Sequence, residues 1–184
     1  PGSIIEVLPI GPEFASPDMF YPTGVEKDFD VIYVAAAQDY KRHDILFDAF
    51  ESLPTDLRGV CLFGYGENAG RYRAEIDRRG LNIECIGPPG VGYPEVNAWM
   101  NRARIGVVCG EEDGAPAILT EYMLAGLPVL ANEALRCGRQ YITPATGLTV
   151  PAARFYSGIL ALLERAPGMR PRDVVLEHWT WEKS

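Results

Sequence analysis

Short, nearly uncharged runs rich in Val, Ile and Leu recur along the chain, each followed by a stretch whose apolar residues return every three or four positions. "DVIYVAA" precedes "HDILFDAFESL", in which Leu46, Ala49, Phe50 and Leu53 share one helical face. "GVCLFG" precedes a charged helical segment around residues 68–79, "NIECIG" precedes "PEVNAWMNRA", and "IGVVCG" precedes "PAILTEYMLAG". "LPVLAN" follows, and "GLTV" leads into "AARFYSGILALLERA". Gly or Pro punctuates nearly every junction. Strands this poor in charge are covered on both faces, and their alternation with helices means right-handed βαβ units. The expected fold is therefore one α/β domain, doubly wound around a mostly parallel sheet. Ligands of such sheets bind beyond the carboxyl ends of the strands, where strand order reverses. That directs attention to the turns at 36–41, 64–68, 87–93 and 110–116.

Composition narrows the classes. The 184 residues carry a formal net charge of −8, with no basic stripe, which argues against a nucleic-acid surface. The arginines of "RYRAEIDRRG" alternate with carboxylates and read as a solvated helix face. No run approaches the roughly 20 apolar residues of a membrane span, and no signal-peptide pattern opens the chain. Cys61, Cys85 and Cys109 fall in strand-like runs, and no CxxC pair or zinc spacing occurs, so the expectation is reduced core thiols in a cytoplasmic protein. Pro1-Gly2-Ser3 reads as the remnant of a cleaved purification tag, leaving residues 4–184 as the domain.

The densest chemistry lies in "EEDGAPAILTEYMLAGLPVLAN", residues 111–132. Pro116 suits a first helical position, and Gly114, Ala115 and Ala117 would surround a helix start with free N–H groups, a place for phosphate. Glu121 falls about 7–8 Å further along the axis, suited to accepting hydrogen bonds from sugar hydroxyls. Phosphate followed by hydroxyls describes the pyrophosphate and ribose of a nucleotide. Acid before a helix is favourable in itself, which covers Glu111 and Glu112 but gives no reason for Glu121. Other readings are poorer. A metal on Glu111 to Asp113 needs hard-cation chemistry for which nothing else speaks. Trp99, Trp179 and Trp181 at helical or terminal positions are more often packing residues than sugar platforms. A nicotinamide-binding turn needs glycines after the first strand, where the chain reads "AAAQDYK", and no G-x-S-x-G elbow is present.

The same residues resemble the GT-B glycosyltransferases of family 4, also called group 1. Asp113, Gly114, Pro116, Glu121 and "LAGLPVLAN" resemble the family's E-x7-E region, with Asp113 in place of the first glutamate. "VAAAQDYKRHDILFDAF" is similar to its "GRLxxxKGxxxLxxAF" stretch, with Lys41 at the lysine and Ala36 at the arginine. "CLFGYGEN" matches its "xxGxGP" turn through Gly64 and Gly66. The resemblance implies a Rossmann-like half of a GT-B fold that binds a nucleotide diphosphate sugar for a retaining transfer, with no metal or other cofactor. It implies Lys41 on the donor phosphates, Asp113 by the transferred sugar, Glu121 on the ribose, and Gly87 and Pro88 near the base. It further implies an acceptor-binding N-terminal domain outside this chain, a chain that stops before the last crossover helix, and weak donor binding with little or no transfer by the chain alone. Ala36 and Asp113 keep a second reading open: a non-catalytic GT-B-like module, or half of a split transferase acting through a partner chain.

Overall fold

The computed structural model describes residues 15–113 and 116–180. Pro1-Gly2-Ser3, Gly114, Ala115 and Trp181 lie outside them. Six strands appear where the apolar runs predict them: β1 (Phe29–Val34), β2 (Gly59–Leu62), β3 (Ile83–Ile86), β4 (Ala103–Val108), β5 (Val129–Asn132) and β6 (Gly147–Val150). The helices between and after them are α1 (His43–Ser52), α2 (Ala69–Arg79), α3 (Tyr93–Asn101), α4 (Ile118–Leu124), α5 (Phe155–Arg165) and α6 (Pro171–His178). The strands form one sheet in the order β3-β2-β1-β4-β5-β6, every neighbouring pair parallel.

Alternation along the strands divides the core in two. Val31 and Tyr33 of β1, Cys61 of β2, and Ile105 and Val107 of β4 face α1, α2 and α5. Phe29, Ile32, Val60, Leu62 and Val108 face α3, α4 and α6. Each large side chain so covered contributes roughly 1.5–3 kcal/mol relative to exposure. All four cysteines are free; Cys61 and Cys109 are core thiols, buried and pushed by burial well above their ordinary pKa, and Cys85 is half-buried. Cys137 alone is exposed. Helix α6 has no counterpart among the elements expected from sequence, because its eight residues carry little periodicity beyond Pro171 at its start.

Two side-chain devices fix the surface segments. Asn97 and Asn101, one turn apart on α3 and both buried, grip the extended chain before β1. Asn97 Oδ1 accepts from the Tyr21 amide (3.1 Å), and Asn101 accepts from the Thr23 amide (2.7 Å) while donating to the Tyr21 carbonyl (2.9 Å). Arg172 of α6 donates to the carbonyls of Phe20 (2.7 Å) and Leu124 (2.5 Å). No helix of the described residues is long and apolar enough to cross a membrane.

Candidate donor-nucleotide site

Strand order reverses between β1 and β4, which makes the ends of these strands the place where sheets of this kind hold ligands. The β1–β4 ladder ends at Ile32↔Gly106. Beyond it, the hydroxyl of Tyr122, from α4, accepts from the Val34 amide (2.7 Å) and donates to the Ile32 carbonyl (3.3 Å). A phenol thus stands in for a strand partner at the start of the loops that follow β1 and β4. Gly106 is required below: a Cβ there would sit 2.5 Å from the Tyr122 ring. Sequence reasoning misses this pair, since neither residue carries a motif.

The structure brings Lys41, after β1, and Asp113, after β4, together at that switch point. Lys41 ends a 3-10 turn (Asp39–Lys41), and its ammonium pairs with the Asp113 carboxylate, each side chain 15% exposed. The lysine backbone is fixed by the Tyr33 hydroxyl on its carbonyl (2.5 Å) and by its own amide on Gln38 (3.1 Å). Neighbouring acids find other cations: Glu111 takes Arg42 (2.5 Å) and Glu112 takes Arg136 (3.2 Å). Three acids on three cations is an ion-paired loop, and among the described residues no three metal-ligating side chains converge.

Pro116 does not open the helix. Helix α4 starts at Ile118, because the Ala117 carbonyl takes the first α-type bond, from the Glu121 amide (3.0 Å), while the Pro116 carbonyl takes only a short turn bond from Leu119 (3.1 Å). Ala117 is the residue before the first turn, and Gly114 and Ala115, expected beside it, lie outside the described residues. Glu121 sits in that first turn, half-buried, and its carboxylate has no hydrogen bond or ion pair among the described residues. Burial pushes it up to about 7.

The expected glycines divide. Gly64 has open space where a Cβ would stand, and with Val34, Ile86, Gly87 and Val91 it lines an apolar cavity of about 40 Å³. Gly66, at φ 119°, is needed for packing, since a Cβ would lie 2.6 Å from the Ala37 carbonyl carbon. Gly87 is constrained in the same way against the Phe63 backbone, and its carbonyl is taken by the Arg73 guanidinium. Arg73 is thereby half-buried, not part of a solvated face as the sequence reading had it. Pro88 beside it is exposed. His43, adjacent to Lys41 and Arg42, is buried, its ring centroid 4.7 Å from those of Tyr33 and Tyr72, so it cannot reach a ligand. Trp99 packs on Phe29 and Trp179 on Tyr141. A larger depression, about 630 Å³, lies at the opposite end of the strands between residues 21–28 and α3. Its Asp28 and Arg102 are bound to each other (3.0 and 2.5 Å).

The parallel sheet in this order, covered by helices on both faces, is Rossmann-like and matches the halves of GT-B glycosyltransferases. The chain belongs to the family described as glycosyl transferases group 1, whose model matches residues 18–164. Among solved structures it is similar to sucrose-phosphate synthase from Thermosynechococcus elongatus (TM-score 0.76, 20% identity, 91% of this chain and 47% of that one). It is also similar to the C-terminal domain of the group 1 family protein LpcC from Francisella tularensis (0.75, 15%, 91% and 99%). A third is Anabaena HepE in complex with UDP and glucose (0.70, 16%, 84% and 45%). The chain thus spans about half the length of the first and third and nearly all of the second. No curated protein sequence matches it.

Proposed function

We propose that this domain holds the nucleotide diphosphate sugar of a retaining glycosyltransferase whose acceptor is bound by another domain. The observation that carries the reading is Glu121: a half-buried carboxylate with no hydrogen bond among the described residues, raised to about 7, in the first turn of the helix that follows β4, while Lys41 follows the neighbouring β1. An unpaired buried acid is costly, and a ribose diol supplies two hydroxyl donors that relieve it. The HepE neighbour, whose structure contains UDP and glucose, supports the same ligand class. In the transfer, the bond between the anomeric carbon and the diphosphate oxygen breaks, and its electron pair stays on the diphosphate. The Lys41 ammonium stabilises that charge, which is where electrostatic preorganisation acts on the transition state. The acceptor hydroxyl bonds to the anomeric carbon from the same face, and its proton passes to the departing diphosphate. No metal enters this account, and Gly64 with the cavity beside Gly87 and Val91 would take the base.

Calorimetric titration with UDP, GDP and ADP tests it. One nucleotide should bind, with about tenfold or greater loss in Glu121→Ala and in Lys41→Ala. A folded-state pKa of about 7 also sets a sign: the acid must ionise to accept both hydroxyls, so affinity rises from pH 6 to pH 8, and that rise is diminished in Glu121→Gln. Binding untouched by either alanine variant would remove Glu121 and Lys41 from the site. The alternative, a non-catalytic module or half of a split transferase, is favoured by Ala36 and by the neutralised Lys41. It predicts no nucleotide binding at millimolar concentration, by this chain or with its other domain attached.

A further inference from the structure

We infer that Asp113 is an intramolecular competitor for the anion seat at Lys41, so that a diphosphate binds by displacing a carboxylate of the protein's own. The inference rests on the donor-binding reading and deepens it. Of the three ion pairs made by residues 111–113, those of Glu111 and Glu112 are at the rim, with the acids 42% and 68% exposed, where such pairs contribute little. The Lys41–Asp113 pair is the shielded one, 15% exposed on each side. Its two halves are anchored unequally. Lys41 is held by both of its backbone groups and lies 5.0 Å from the centre of the Tyr40 ring. Asp113 sits in the loop between β4 and α4, in neither a strand nor a helix. The two loops touch at Gly110, where a Cβ would lie 3.0 Å from the Tyr40 carbonyl oxygen.

An entering anion therefore moves Asp113 and leaves Lys41 in place. A diphosphate brings several oxygens and more than one charge, enough to outbid a single carboxylate. While Asp113 is on the lysine the seat is closed, and apparent affinity falls by the fraction of time it is open. The arrangement makes the acid a discriminator against weakly charged ligands.

The experiment is calorimetry on the whole chain at fixed ionic strength, with inorganic pyrophosphate and the same three nucleotides as probes. Asp113→Asn should bind roughly three- to tenfold more tightly than the wild type, the gain expected if the seat is open about a tenth to a third of the time. Asp113→Glu, which keeps the charge, should show no such gain. In a Lys41→Ala background the asparagine should change nothing. Asp113→Asn binding equal to or weaker than wild type overturns the competitor role while leaving the donor site intact. A gain as large in Asp113→Glu, or one that persists without Lys41, overturns it as well. Absence of binding to every variant overturns the competitor role, absence with the other domain attached removes the donor reading as well, and thermal melts by circular dichroism establish that each variant is folded.

Discussion

At the scale of single residues, burial without a partner separates two groups that proximity in sequence would join. His43 and Glu121 are both starved of hydrogen bonds, but only Glu121 is partly exposed. The His43 ring is enclosed by Tyr33, Phe47, Phe63 and Tyr72, with neither nitrogen bonded. Burial lowers it from 6.5 to about 4. The unfolded chain thus takes up a proton before the folded one does, and stability falls as pH drops from about 6.5 to about 4, by up to about 3 kcal/mol. His43→Leu, similar in volume and without polar atoms, should match or exceed wild-type stability at pH 7 and exceed it at pH 5. Urea unfolding at the two pH values checks this, and an equal loss on acidification in both proteins would refute it. Nothing in "KRHD" reveals that the third residue turns inward.

Among the elements, the strands and α1, α2, α3 and α5 were legible because hydrophobic period and Gly/Pro punctuation agree. The start of α4 was legible only to within two residues, since Pro116 satisfies helical rules that the backbone bonds of Ala117 override. The Asn97–Asn101 grip was not legible: on sequence the two are ordinary polar residues on a helix. In the structure they supply strand-like partners to a segment that belongs to no sheet. Asn101→Ala leaves the Thr23 amide and Tyr21 carbonyl without that partner, at a cost of about 2 kcal/mol. Hydrogen exchange should show faster exchange of the Thr23 amide, with β1 amides unchanged. Uniform acceleration through β1 would mean that the pair supports the whole fold instead.

For the molecule as a whole, one sheet serves two cores. Each central strand sends alternate side chains to opposite faces, so neither layer can be lost while the other persists. Trp99 and Trp179 both report on the α3–α4–α6 layer, whereas far-ultraviolet circular dichroism reports on every element. The two signals should give coincident thermal midpoints, as a cooperative unit requires. Separate midpoints would mean that the layers unfold independently. The net charge of −8 acts at this scale too, because it sets a repulsive background that the local cation at Lys41 must overcome.

The sequence by itself determined the strand and helix succession as far as α5, the parallel sheet, and the choice of Lys41, Asp113 and Glu121 as residues of interest. These follow from local periodicity and from residue types at fixed spacing, both written along the chain. Tertiary structure alone decided their state. Lys41 and Asp113 lie far apart in sequence and neutralise each other only because β1 and β4 are neighbours. Glu121 acquires its raised pKa from the burial that folding imposes. Gly66 and Gly87, which on sequence stand for access to a ligand, are needed because another backbone passes where their side chains would be.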